Sequence, residues 1–216
     1  MSIVAPIKER NVLLPRVSWK TYEQILRDSE DSNAHRFYYD RGRLEIVMPS
    51  QLHEETKSTL NLLVELIAYE WDWDSRNLGS TTFKNESISR GFEPDTCFYI
   101  QRLAEIAGKD TLNPETDPAP DLVVEVDITS PSLERLPLYS KFGVREVWRA
   151  DADGGITIHR FDAQGDPTNE TESEVLSGLT AEQIAVFLRQ NKTLGRKVWI
   201  DTVRDWAQEH PPSIVP

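Results

Sequence analysis

Pro120-Asp121-Leu122-Val123-Val124-Glu125-Val126-Asp127-Ile128 is the stretch that decides the fold. It consists almost wholly of β-formers, and side chains alternate between the two faces of a strand. Leu122, Val124, Val126 and Ile128 therefore share one wholly apolar face. Asp121, Val123, Glu125 and Asp127 take the other. At about 3.3 Å rise per residue, Glu125 and Asp127 start roughly 6.6 Å apart on the same side. Two like charges there repel, and a divalent cation held by oxygen ligands is a natural neutraliser. Upstream lies Glu93-Pro94-Asp95. Pro94 has no amide proton to give to a sheet, so it marks the start of a strand over residues 95–101, with Asp95 at its head. Two acidic strand ends brought together make an oxygen-donor site suited to Mg²⁺ or Mn²⁺. The plainer alternative is a pair of solvated strand-end acids in a chain that holds 36 Asp and Glu residues.

Outward from this strand, helices and strands interleave. Ser18 is placed to cap a helix over 19–28, with Tyr22, Ile25 and Leu26 as its apolar stripe. Strands over 37–40 and 43–48 flank the turn Arg41-Gly42. Leu60, Leu63, Val64, Ile67 and Trp71 recur at helical spacing and predict a long helix over 53–71. A strand is expected over 81–88, with Arg90-Gly91 as a break, and a helical stretch over 102–107. A Pro-rich loop over 109–120 follows. A short helix over 138–142 should end at Gly143. Strands over 144–150 and 155–161 join through Asp153-Gly154, and 162–173 reads as a surface loop. Thr180 with Gln183 forms a capping box for a helix to 190. A helix or strand over 198–208 ends the pattern. The expected organisation is a loose arm over 1–16, a domain over 17–165, and a C-terminal helical extension over 166–216 packed on that domain. Such an order implies an α/β fold with a mixed central sheet flanked by helices.

The net charge of −12 argues against broad contact with nucleic-acid phosphates, although acids that hold cations can still face a phosphate. One cysteine, Cys97, rules out an intrachain disulfide, and it falls in a strand that reads as buried. No apolar run is long enough for a membrane span or resembles a signal peptide. A cytoplasmic, non-membrane protein is the expectation.

A Pro-Asp before one strand, followed thirty residues later by an acid in the next long strand, resembles the active-site pattern of restriction-endonuclease-like nucleases. Further pieces are similar to the Uma2 family of that superfamily. They are Tyr39-Asp40-Arg41-Gly42-Arg43-Leu44-Glu45-Ile46-Val47-Met48-Pro49-Ser50 with His53, then Glu93-Pro94-Asp95 and Pro120 to Val126. Ser130-Pro131-Ser132, Leu138-Tyr139 and Gly143-Val144-Arg145-Glu146-Val147-Trp148 complete the order.

The resemblance implies a restriction-endonuclease-like fold and a Mg²⁺- or Mn²⁺-dependent endonuclease that hydrolyses phosphodiester bonds in DNA. It also suggests a homodimer. Asp95 and Glu125 would hold the metal, and His53 would contact its water shell or a phosphate. The superfamily lysine expected two residues after Glu125 is replaced by Asp127, which would be either a third ligand or a source of repulsion. The family's alternative lysine position holds Arg135. Arginine stabilises an anion but cannot serve as a base. Pro137 fits only the first turn of a helix, which would set Arg135 ahead of that helix and off the site. The missing lysine also fits a nuclease fold kept for binding or regulation without catalysis, and hydrolysis of another phosphate ester is a third reading. Arg135, Lys141, Arg145 and Arg149 form a basic stretch that either faces DNA or is ordinary surface. Tyr139 and Trp148 read as core. Trp71 and Trp73 read as core or dimer contact rather than as a stacking platform.

Overall fold

A computed structural model describes residues 10–29, 34–128 and 132–212. Ser130-Pro131 of the family pattern and the first nine residues of the expected arm lie outside them. The α/β class expected from sequence is the class found. The chain runs β1 (Arg10–Leu14), α1 (Trp19–Asp28), β2 (Arg36–Asp40), β3 (Arg43–Met48), α2 (Gln51–Glu70), β4 (Arg76–Asn77), β5 (Phe83–Asn85), β6 (Arg90–Phe92) and β7 (Thr96–Tyr99). It continues with β8 (Leu122–Asp127), α3 (Leu136–Phe142), β9 (Glu146–Asp151), β10 (Ile156–Phe161), β11 (Pro167–Glu170), α4 (Ala181–Asn191) and α5 (Arg196–Glu209).

The strands divide between two sheets rather than one. The central sheet has the order β11-β10-β9-β8-β7-β4, and the second has the order β1-β3-β2-β6-β5. Only β8 and β9 pair in parallel among the named strands, and α3 lies in the crossover that parallel neighbours require. Both faces of β8 are buried. Leu122, Val124 and Val126 meet Leu60, Leu63, Val64 and Ile67 of α2, together with Trp148 and Trp199. On the other face Val123 packs with Leu136, Leu138 and Tyr139 near α3, and with Tyr38 and Val47 of the second sheet. The alternation read along this strand is thus the alternation observed. Trp71 and Trp73 lie in the first cluster, edge to face, and form no surface platform.

Four local expectations are corrected. Arg10–Leu14, expected as part of a loose arm, pairs along β3 as an exposed edge strand. The strand expected over 81–88 shrinks to β5, and the expected break Arg90-Gly91 lies within strand β6. The reason is steric. A Cβ on Gly91 would lie 2.3 Å from Tyr22 Oη, so this glycine makes room for a tyrosine of α1 rather than for a turn. β11 forms inside the stretch expected to be a surface loop and pairs with β10. Finally, Pro137 sits in the first turn of α3, where its missing amide proton costs nothing, but a 3-10 turn over Ser132–Arg135 leads directly into that helix. Arg135 is therefore carried inward.

Candidate active site

Antiparallel register between β7 and β8 pairs Thr96 with Val124 and Cys97 with Val123. One further step of the same register sets Asp95 across from Glu125. The Val126 amide donates to Asp95 Oδ2 at 2.8 Å, which fixes the carboxylate over the end of β8. Ser50 caps α2 by accepting from the His53 amide at 3.2 Å. That cap fixes the first turn of α2 and brings His53 Nε2 to 2.7 Å from Asp95 Oδ2. His53, Asp95 and Glu125 are all buried, with exposures of 1%, 3% and 1%. The second sheet closes the site. Buried Arg36 of β2 brings Nε to 4.0 Å from Asp95 and Nη2 to 3.7 Å from Glu54. Two residues along the same strand face, Tyr38 Oη donates to Glu125 at 3.1 Å.

Glu125 also accepts from Tyr139 Oη and from Arg135 Nη1, the latter at 3.3 Å. Arg135 is clamped. Its Nε and Nη2 bond both oxygens of Glu45 at 3.0 and 2.9 Å, and its guanidinium lies 3.9 Å from the centre of the Tyr38 ring. Tyr38 and Glu45 are cross-strand partners of β2 and β3, so one hairpin presents both contacts. Asp127 also lies at the end of β8, but its carboxylate pairs with Arg149 of the adjoining strand β9.

Burial pushes the Asp95 carboxyl well above the ordinary carboxylate range, against the pull of the Val126 amide, Arg36, Arg135 and Lys57. Burial and then the neighbouring negative charge of Asp95 push Glu125 up in the same way, against Arg135 and Tyr139. For Arg135, burial alone would favour loss of the proton. The electrostatic pull of Tyr38, the Glu45 hydrogen bonds and Glu125 outweigh it and hold the guanidinium charged. Glu45 is correspondingly held below its usual range, Arg135 overcoming the effect of burial. Two high-proton-affinity carboxyls on adjacent strands create a demand for positive charge.

Among the described residues no group of three or more His, Cys, Asp and Glu side chains is arranged to hold a metal ion. Mg²⁺, however, takes as few as one or two carboxylates from a protein and completes its shell with water and phosphate. Asp95 and Glu125 supply hard oxygen donors of that kind, and their raised proton affinity marks a place where a cation would stabilise both. The donor set fits.

His53 and Arg135, singled out from sequence, thus meet Asp95 and Glu125 in one cluster, and Asp127 stands beside it against Arg149. The other members of the basic stretch diverge. Arg145 bonds Gln101, and Lys141 is exposed. Arg36 and Tyr38 are not singled out from the sequence, and Glu45 enters only as one position of the family-like motif. Tyr139, read as core, has a ring that does pack edge to face on Phe92, yet its hydroxyl belongs to the site.

The fold is thus a mixed α/β arrangement of two sheets, with a buried acid pair at the junction of β7 and β8 and a histidine supplied by a helix N-terminus. The chain belongs to the Uma2 family, whose model, described as "Putative restriction endonuclease", matches residues 19–195. A similar solved structure is that of "a putative nuclease belonging to DUF820" from Anabaena variabilis ATCC 29413. It is 17% identical, the match covers 70% of this chain and 90% of that one, and the TM-score is 0.47. No curated protein matches. Among the described residues no helix is long and apolar enough to cross a membrane.

Proposed function

We propose that this protein is a Mg²⁺- or Mn²⁺-dependent nuclease that hydrolyses phosphodiester bonds in DNA, with the cation held by Asp95 and Glu125. The observation that carries this reading is the pairing of these two acids, thirty residues apart in sequence, at one buried point between β7 and β8. Family membership supports it. A bound divalent cation would supply Lewis-acid polarisation of the scissile phosphate. The chain's own residues do the rest. His53 and the Val126 amide hold Asp95 in one orientation. Tyr38 and Tyr139 do the same for Glu125. Arg135 offers a fixed positive charge for the extra negative charge that develops on phosphorus-bound oxygens during attack by water. It cannot take the proton from that water, because a guanidinium stays protonated. In the balanced reaction the water oxygen joins phosphorus, one phosphorus–oxygen ester bond breaks, and the leaving oxygen receives a proton.

The test is nicking of supercoiled plasmid in Mg²⁺ or Mn²⁺ by wild type, Asp95→Asn and Glu125→Gln. Loss of nicking in both variants is expected. Equal nicking in all three would end the proposal. A second reading has its own observation. Arg135 already bridges Glu125 and Glu45, so a side chain can serve as the resident cation of a fold that binds without cutting. Nucleic-acid binding indifferent to EDTA, with no nicking by wild type, would favour that reading.

A further inference from the structure

Two cavities share residues with the site, and they differ in charge. A small cavity of about 60 Å³ beside Arg135 is lined by three acids, Asp40, Glu45 and Glu134, against two arginines. On the Asp95 side lies a larger cleft of about 320 Å³ between the end of α1, the start of β2 and the start of β5. Among the described residues Arg27, Arg36 and Lys84 line it, with the hydroxyls of Thr81 and Thr82, and Glu93 is the one acid. In a chain of net charge −12, three cations against one acid among the described lining residues is a local reversal.

Glu93 is also turned to structural use. It accepts from the Phe37 amide at 3.1 Å and from Thr82 Oγ1 at 2.5 Å. Burial raises its proton affinity, against the Thr82 and Phe37 hydrogen bonds and the charge of Arg36. Lys84 pairs with Glu23 at 2.8 Å, but both side chains are partly exposed, so an incoming anion can share the ammonium. Arg36 joins the cleft to the acid pair: it lines the wall and reaches toward Asp95. The volume falls at the small end of the range for small-molecule sites.

We propose that this cleft receives the sugar-phosphate backbone of the nucleic-acid strand on one side of the scissile bond. Arg27 and Lys84 contact its phosphates, and Arg36 hands the strand on to Asp95 and Glu125. This inference rests on the nuclease reading above and names the path by which its substrate enters.

The experiment measures binding of a fluorescent single-stranded 20-nucleotide DNA to the full chain by anisotropy, in EDTA, across a salt series. Wild type is compared with the double variant Arg27→Ala/Lys84→Ala. Lys141→Ala/Lys197→Ala serves as a charge-matched control on exposed residues elsewhere. If the proposal holds, the cleft variant binds about tenfold more weakly at 0.1 M salt. Its slope of log K against log salt shrinks by about 0.7 for each lost phosphate contact, while the control matches wild type. A cleft variant equal to wild type in affinity and slope overturns the proposal, as does an equal loss in the control. If wild type still nicks plasmid in that case, the nuclease reading survives without this entrance. A wild type that neither binds nor nicks removes both.

Discussion

Replacing Glu125 by glutamine should make the metal-free protein more stable at alkaline pH, although it removes a residue at the heart of the site. In the fold Glu125 is raised from its ordinary 4.5 to about 8. An acid whose folded pKa lies above its unfolded value does not weaken the fold below the unfolded value. It weakens the fold progressively as pH climbs, until the folded value is passed. Each tenfold rise in proton affinity on folding corresponds to about 1.4 kcal/mol, so the burden at pH 8.5 is at most on the order of 5 kcal/mol. Glutamine keeps the shape and lifts that burden. It also leaves Arg135 with one anionic partner, Glu45, in place of two, which offsets part of the gain. The net expectation is about 2–3 kcal/mol. For a chain of this size that is a rise in melting temperature of about 4–12 °C at pH 8.5 in EDTA. At pH 5 the wild-type carboxyl is already protonated in the fold, and the two melting temperatures should nearly coincide. Thermal melts followed by circular dichroism at the two pH values decide the matter. A variant less stable than wild type at both, or a difference that does not grow with pH, would refute the claim that Glu125 is a charge the apo fold tolerates at a cost.

Further outcomes follow from the same contacts. Tyr139→Phe deletes a hydroxyl that donates to buried Glu125, and should cost about 1–3 kcal/mol in the thermal melt. Because Tyr139 lowers the Glu125 pKa, its loss should let Glu125 hold its proton longer and extend the alkaline decline in stability to higher pH; a decline that ends at lower pH would contradict this. His53→Ala removes the side chain that orients Asp95, and should weaken Mn²⁺ binding by about 10- to 100-fold in calorimetry. Gly91→Ala sets a methyl group against the buried Tyr22 ring, which stacks on Tyr39. It should destabilise by about 1–3 kcal/mol, with Tyr22→Phe in the same background restoring part of the loss if the hydroxyl is the point of collision.

The elements whose signal is carried by their own residues are legible in the sequence. Strong alternation marks β8, helical spacing of Leu60, Leu63, Val64 and Ile67 marks α2, and Ser18 and Thr180 mark two helix starts by the caps they form. Gly143 ends α3 in the left-handed conformation that its lack of a Cβ allows. What escapes such reading depends on distant partners. Gly91 looks like a turn because the tyrosine that requires it lies 69 positions earlier, at residue 22. β1 and β11 hold their strands by pairing with β3 and β10 rather than by apolar patterning, and β1 is exposed throughout. The site divides in the same way. Asp95 and Glu125 can be read from Pro94 and from the alternation along β8. The shell around them cannot, because Arg36, Tyr38 and Glu45 come from a second sheet whose docking no local pattern encodes. Arg135 is singled out in the sequence, but its direction is not legible there, for a backbone reason. Pro137 implies a separation from the site, whereas the 3-10 turn before α3 turns the arginine side chain toward Glu125.

Calorimetric titration of Mn²⁺ at pH 8.5 into wild type, Asp95→Asn and Glu125→Gln probes the paired acids without requiring a substrate. Saturable binding near one ion per chain in wild type, lost or sharply weakened in each variant, is the expected outcome. Binding of the same strength in all three, or none in wild type, would mean that the two carboxyls do not share a cation.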